Sequence, residues 1–191
     1  MILTGKEDLR VVKTIEAIKG TFEELICEKE YEKITVKELC DRARINKKTF
    51  YHYYPTLDDL LAELQFEISS AYIERIKDFR LPDEIKKVNR AFFEFSCSQG
   101  KVFEKITCST GSYSYIRQKM INRVTSETWE KSAAFRKLDA FTQSVLLEHV
   151  NFINVNIYCK WIADGKRAPI EELIALSDQL TCNGLQGVLG I

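Results

Sequence analysis

Three helix-start signals fall within about twenty residues of one another, which severely limits the folds that can use them all. Thr35 with Glu38, and Thr56 with Asp59, each place an acid three residues after a hydroxyl cap, and Asn46 between them offers a third cap. The helices that begin at Thr35 and Asn46 can therefore run for only about two turns, and helices that short persist only when packed against something. Two short helices joined by a tight turn and preceded by a long one read as a helix-turn-helix.

The long preceding helix is marked by Leu9, Val12, Ile15, Ile18, Phe22, Leu25 and Ile26, which recur every three or four residues. Thr4 and Glu7 are spaced as a capping box at its start, and Gly20 interrupts it at a cost of about 1 kcal/mol relative to Ala. With 8 Gly and 3 Pro in 191 residues the chain lacks the frequent turns of a β-protein, so the expected class is all-α, with about nine helices. Further helices are expected over 57–79, 83–98, 101–108 and 113–131, with Leu81-Pro82-Asp83 as a junction. A helix over 138–162 carries two apolar stripes. One takes Leu138, Phe141, Val145, Phe152, Val155, Cys159 and Ile162; the other takes Leu146, Val150, Ile153, Ile157 and Trp161. Two apolar faces need two partners. Pro169 opens a final helix with Leu173, Ser177, Leu180, Gly184 and Gly187 along one side, where small residues permit close approach of another helix.

The chain balances 28 basic against 28 acidic residues, so only the distribution of charge is informative. Over 33–54 six basic residues (Lys33, Lys37, Arg42, Arg44, Lys47, Lys48) face two acids (Glu38, Asp41), a net of +4. That segment is a candidate nucleic-acid footprint. The six cysteines form no C-x-x-C pair, and with two His no metal-ligand spacing is present; reduced, mostly buried thiols and no metal or cofactor are expected. No leader or membrane span is visible in the sequence, and a cytoplasmic protein is expected.

Stepping 100 degrees per residue along the second short helix puts Lys47, Lys48, Tyr51 and His52 on one arc and Phe50, Tyr53 and Tyr54 on the other. The first arc consists of donors and rings that can reach phosphates or base edges, while the second packs on Val36, Leu39 and Ala43, with Ile45 in the turn. Candidate DNA contacts are Thr35 and Tyr51 on phosphate, Lys48 and His52 nearest the base edges, and Lys47 beside them, with Arg44, Thr49 and Tyr53 completing the set.

The stretch YEKITVKELCDRARINKKTFYHYYPTLDDLLAEL, residues 31–64, resembles the tetracycline-repressor (TetR) family of bacterial transcriptional regulators. The likeness rests on Thr at the start of helix two, Ala before the turn, Thr-x-Tyr in the recognition helix and an acidic Leu-Leu opening of helix four. It departs from the family pattern at Arg44, where most members have Gly, and at Leu57, where many have a phosphate-touching Lys. The resemblance implies a DNA-binding domain over 1–56 and a helical effector-binding and dimerisation domain over 57–191. It also implies a homodimer on a palindromic double-stranded operator, acting as a repressor under the control of an unknown small molecule.

Aromatic and polar residues on the middle and later helices are candidates for the effector pocket: Phe92, Phe95, Phe103, Tyr113, Trp129, Asn151 and Phe152. Since they include no Arg or Lys cluster, a neutral or aromatic effector is expected over an anionic one. The candidate dimer interface is Phe152, Val155, Cys159, Leu173, Ser177, Leu180 and Gly184. No phosphate loop, G-x-S-x-G or H-E-x-x-H is present, so catalysis is not expected. The rival reading, kept open by Arg44 and Leu57, is a TetR-like protein that acts through a protein partner with weak or no direct DNA binding.

Overall fold

The computed structural model describes residues 8–109, 111 and 113–189, with side chains as far as residue 182. The apolar stripe of the first helix, α1 (Leu9–Glu28), buries Ile15, Ile18, Phe22, Leu25 and Ile26. Asp8 caps it by accepting from the Arg10 backbone N–H at 2.7 Å; the Thr4–Glu7 box lies outside the described residues. Two short helices follow, α2 (Val36–Ala43) and α3 (Lys47–Tyr53), and then the long α4 (Leu57–Ile76).

All three expected caps accept a backbone N–H: Thr35 from Glu38, Asn46 from Thr49 and Thr56 from Asp59. Only the last is a complete reciprocal box. Glu38 does not return the bond, because its carboxylate is held by Lys29 at 2.8 Å and Arg42 at 3.0 Å. Arg44 ends α2 in the left-handed conformation, φ 54°, ψ 42°, and the Ile45 N–H closes the turn on the Cys40 carbonyl at 3.0 Å. A Cβ in that region is strained, so the tight turn is made at a conformational cost that Gly would avoid.

The remaining helices are α5 (Ile85–Ser98), α6 (Lys101–Cys108), α7 (Tyr113–Thr128), α8 (Ala133–Arg136), α9 (Ala140–Ala163) and α10 (Ile170–Leu189). Among the described residues the fold is all-helical, with ten α-helices rather than about nine. The four-residue α8 was not expected; Ser132 caps it and Phe135 anchors it against Trp129. The helix expected over 113–131 ends at Thr128, its last residues forming a single 3-10 turn instead.

One core joins the helix-turn-helix to the helices behind it. Phe22, Leu25, Leu39, Phe50 and Tyr54 pack with Leu60 and Leu61 of α4, Ile106 of α6, and Tyr113 and Ile116 of α7. A second core gathers Ile76, Trp129, Phe135, Leu146 and Val150, and a third gathers Phe93, Phe95, Phe103, Tyr158, Leu173 and Ile174. α6 touches α1, α7 and α9, so this short helix stands between the helix-turn-helix end and the rest.

Cys108 and Cys159 form a disulfide between α6 and α9, which corrects the expectation of reduced thiols throughout. Their sequence separation of 51 carries no spacing signal. Of the free thiols Cys40 is buried, Cys182 is half-buried, and Cys27 and Cys97 are exposed.

Candidate nucleic-acid interface and ligand cavity

α3 is held by its rings. Phe50 and Tyr54 are completely or almost completely buried, their centroids 5.9 Å apart, and the Tyr54 hydroxyl donates to Glu63 at 3.3 Å. Burial, with the Glu67 charge nearby, pushes the Tyr54 hydroxyl up to about 12, so it remains a donor at any physiological pH. Lys19 lies 2.7 Å from Glu63 and 2.6 Å from Glu67, offsetting the cost of burying Glu63.

Fixing the aromatic face inward turns the other face out. Lys47, Lys48, Tyr51 and His52 are exposed, and so are Thr35 and Arg44, while Thr49 and Tyr53 are half-buried. Thr49 is partly committed to the Asn46 cap, and the Tyr53 ring stacks edge-on against His52 at 4.9 Å. Arg42 is spent internally, bonded to Glu28 at 2.7 Å and Glu38 at 3.0 Å. Lys33, Lys37, Arg44, Lys47 and Lys48 are exposed and enter no ion pair among the described residues, so five cations of the 33–48 segment lack a fixed counter-charge there. Such a surface attracts phosphate and releases counterions when it finds it.

The start of α4 is a poor phosphate site. Leu57 supplies no cation, the Thr56 N–H is taken by Asp59 at 3.0 Å, and the neighbouring Asp58 accepts from the Tyr31 hydroxyl. The Thr56 amide is therefore not free to take the place of the lysine that many family members carry at the position of Leu57.

Behind this head a cavity of about 90 Å³ runs between α4, α5, α7 and α9. Five of the seven candidate pocket residues line it: Phe92, Phe95, Phe103, Trp129 and Asn151. Two do not. Tyr113 belongs to the core beneath the head, donating to the Lys29 carbonyl at 3.1 Å, and Phe152 is 66% exposed on the outer face of α9. Sequence reasoning also missed Arg117 on the wall, together with Tyr72 and Met120.

The candidate interface residues divide in the same way. Val155, Leu173 and Ser177 are buried within the protomer, where Ser177 donates to Asn154, and the half-buried Cys159 is in the disulfide. The half turned inward supports the fold, because α10 packs on α5 and α9 through it. Phe152 and Leu180 remain outside, with Phe141, Val145 and Leu176 beside them in sequence register. Gly184 and Gly187 lie beyond the described side chains.

A helix-turn-helix with a cationic second helix, mounted on a body of seven further α-helices with an apolar cavity, defines a DNA-binding regulator of transcription. Residues 23–64 match the family model described as bacterial regulatory proteins, tetR family. The whole fold is similar to that of a tetR-family transcriptional regulator from Streptomyces coelicolor, with a TM-score of 0.60 at 18% identity over 93% of this chain and 82% of that one. It is also similar to the fatty acid degradation regulator FadR from Bacillus halodurans, with a TM-score of 0.58 at 16% identity over 95% and 98% of the two chains. At such identities the likeness shows the fold alone. No curated protein sequence matches the chain. Among the described residues no helix is long and apolar enough to cross a membrane, and no group of three or more His, Cys, Asp and Glu side chains is placed to hold a metal.

Proposed function

We propose that the protein is a cytoplasmic, homodimeric repressor whose two copies of α3 enter successive major grooves of a palindromic operator, and that a small molecule in the cavity releases it. The observation that carries this reading is the outward face of α3, where Lys47, Lys48, Tyr51 and His52 stand on a helix clamped by buried Phe50 and Tyr54. Lys47 and Tyr51 serve as phosphate contacts with Thr35 and Arg44, and Lys48 and His52 face the base edges. Residues 1–56 form the DNA-binding unit and 57–191 the effector and dimerisation unit. Dimerisation uses the apolar outer face of α9 and α10, where Phe141, Val145, Phe152, Leu176 and Leu180 are exposed. A ligand that fits one arrangement of the two heads better than the other shifts the population by that difference in affinity.

The test is selection of bound fragments from a genomic library, followed by footprinting. Two protected half-sites with centres about one helical turn or a multiple of it apart are expected, since the recognition helices of a dimer follow that spacing. Failure to retain any fragment at moderate salt would favour the reading in which a protein partner, not DNA, is the target. The crowded acidic start of α4 is the feature that supports this second reading.

A further inference from the structure

The cavity is a long apolar slot with a cation at one end. Along α7 its lining runs from Arg117 to Thr128, and at 1.5 Å per residue that spans roughly 16 Å. Leu81 and Val88 gather with Trp129 in one apolar cluster at the Thr128 end of this stretch, and Thr107 sits beside Arg117 at the other. Arg117 is the one charged residue among the described lining residues, and no carboxylate is among them.

Arg117 is only partly used by the protein. Its Nη1 donates to the carbonyls of Thr107 at 2.6 Å and Ser109 at 3.1 Å, which caps the end of α6. Nε and Nη2 have no hydrogen-bond partner among the described residues, and the guanidinium has no ion pair there. A cation beside apolar walls without a counter-charge is unfavourable, and the planar fork left open on Nε and Nη2 matches two carboxylate oxygens. Two further arginines reinforce the sign. Arg123 donates to Ser69 of the lining at 2.5 Å, and Arg75 stacks over the ring of Phe95 at 5.3 Å.

The geometry points to an effector that is an elongated apolar monocarboxylate, lying along α7 with its carboxylate on Arg117 and its tail toward Trp129. This rests on the reading of the cavity as the effector site, and it replaces the expectation of a neutral ligand drawn from the apparent lack of cations.

The experiment titrates the full-length protein with decanoate, decan-1-ol and decylamine, below their micellar concentrations, by calorimetry. Decanoate binding about tenfold or more tighter than decan-1-ol is expected, with decylamine weakest, because a charge-assisted bond is gained by the acid alone. Arg117→Gln keeps a donor for the α6 carbonyls and removes the charge; it should bring decanoate down to the level of the alcohol. Arg117→Lys keeps the charge and should retain part of the preference, so the test stands even where one variant folds poorly. Decan-1-ol binding as well as decanoate in the parent, or an acid preference that survives Arg117→Gln, would overturn the carboxylate assignment and leave the cavity as an effector site of another chemistry. No binding by any of the three probes would overturn both readings for chains of this kind.

Discussion

Lys105 of α6 places its ammonium 2.7 Å from the carboxylate of Glu30, just after α1, and so ties the short central helix to the DNA-binding head. Beside it Ile106 enters the core under the head, and two residues farther on Cys108 bonds α6 to α9. α6 also carries Phe103 and Thr107 of the cavity wall, so a shift of this helix is felt at both places. Lys105→Met should cost less than about 1 kcal/mol of stability, since both partners are partly solvated. It should reduce the factor by which a cavity ligand changes operator affinity. Operator dissociation constants with and without ligand, in parent and variant, give that factor; an unchanged value would remove this ion pair from the coupling.

Arg44 pays for its left-handed backbone while holding an unpaired charge next to α3. Arg44→Gly should therefore stabilise the head by about 1 kcal/mol and at the same time weaken DNA binding. Gly20→Ala is the matched control: the site in α1 is exposed, with nothing within 4 Å of an added Cβ, so it should also gain about 1 kcal/mol, with DNA affinity unchanged. Thermal melts and operator titrations of the two variants separate the effects. Equal DNA affinity in both would mean that Arg44 makes no contact with DNA.

The head was legible in the sequence because its signals are local: a cap, its partner three residues on, and a ring pattern on one short helix define α2 and α3 without reference to the rest of the chain. Farther along, the decisive relations are long-range. Both stripes of α9 are apolar, so periodicity could not say which one stays inside, and Tyr158, fully buried with its hydroxyl on the Ser96 carbonyl at 3.1 Å, belonged to neither. The polar relay from half-buried Asp178 through buried Asn89 to buried Asn154, with bonds of 2.9 Å each, joins three helices and has no sequence signature. Arg117 carries no sequence signal either, because the carbonyls it caps and the cavity wall it joins come together only in the fold.

The apolar outer face of α9 and α10 should hold two copies together. Phe152 is 66% and Leu180 48% exposed, and neither supports the protomer's own core. Phe152→Glu combined with Leu180→Glu should give a folded monomer, since desolvating the new charges in an interface is costly. Sedimentation velocity on the double variant checks this, with circular dichroism confirming that the helices remain. A dimer of unchanged sedimentation coefficient would place the interface elsewhere.

Acid should loosen the link between α1 and α2. The Lys29 ammonium, with Arg42 alongside, holds the Glu38 carboxyl below the usual carboxylate range, and the Arg42 guanidinium does the same for Glu28. A carboxyl lowered in the folded state stabilises it above the ordinary carboxylate pKa, and that contribution is lost as pH falls through the folded value. Glu28→Gln with Glu38→Gln should accordingly flatten the decline in melting temperature on the acid side, leaving other carboxylates to account for the remainder. A double variant whose acid profile overlays the parent's would show that these pairs contribute nothing to it.

Lys47 and Lys48 are both exposed on α3, yet the two have different work in the proposed complex. A lysine on phosphate releases counterions regardless of sequence, whereas one on a base edge discriminates between bases. Lys47→Ala should weaken all operator variants nearly equally and reduce the slope of log affinity against log salt by about 1 per head. Lys48→Ala should cost roughly 1 to 3 kcal/mol on the selected site and relax the preference at one position of each half-site. Phe50→Ala is the contrast, because it removes a fully buried ring and should destabilise the head by roughly 3 to 5 kcal/mol. Salt slopes and half-site preferences of the two lysine variants, measured alongside melts of all three, distinguish the roles. If both lysine variants kept the parent's slope and preference, α3 would not be the element that enters the groove.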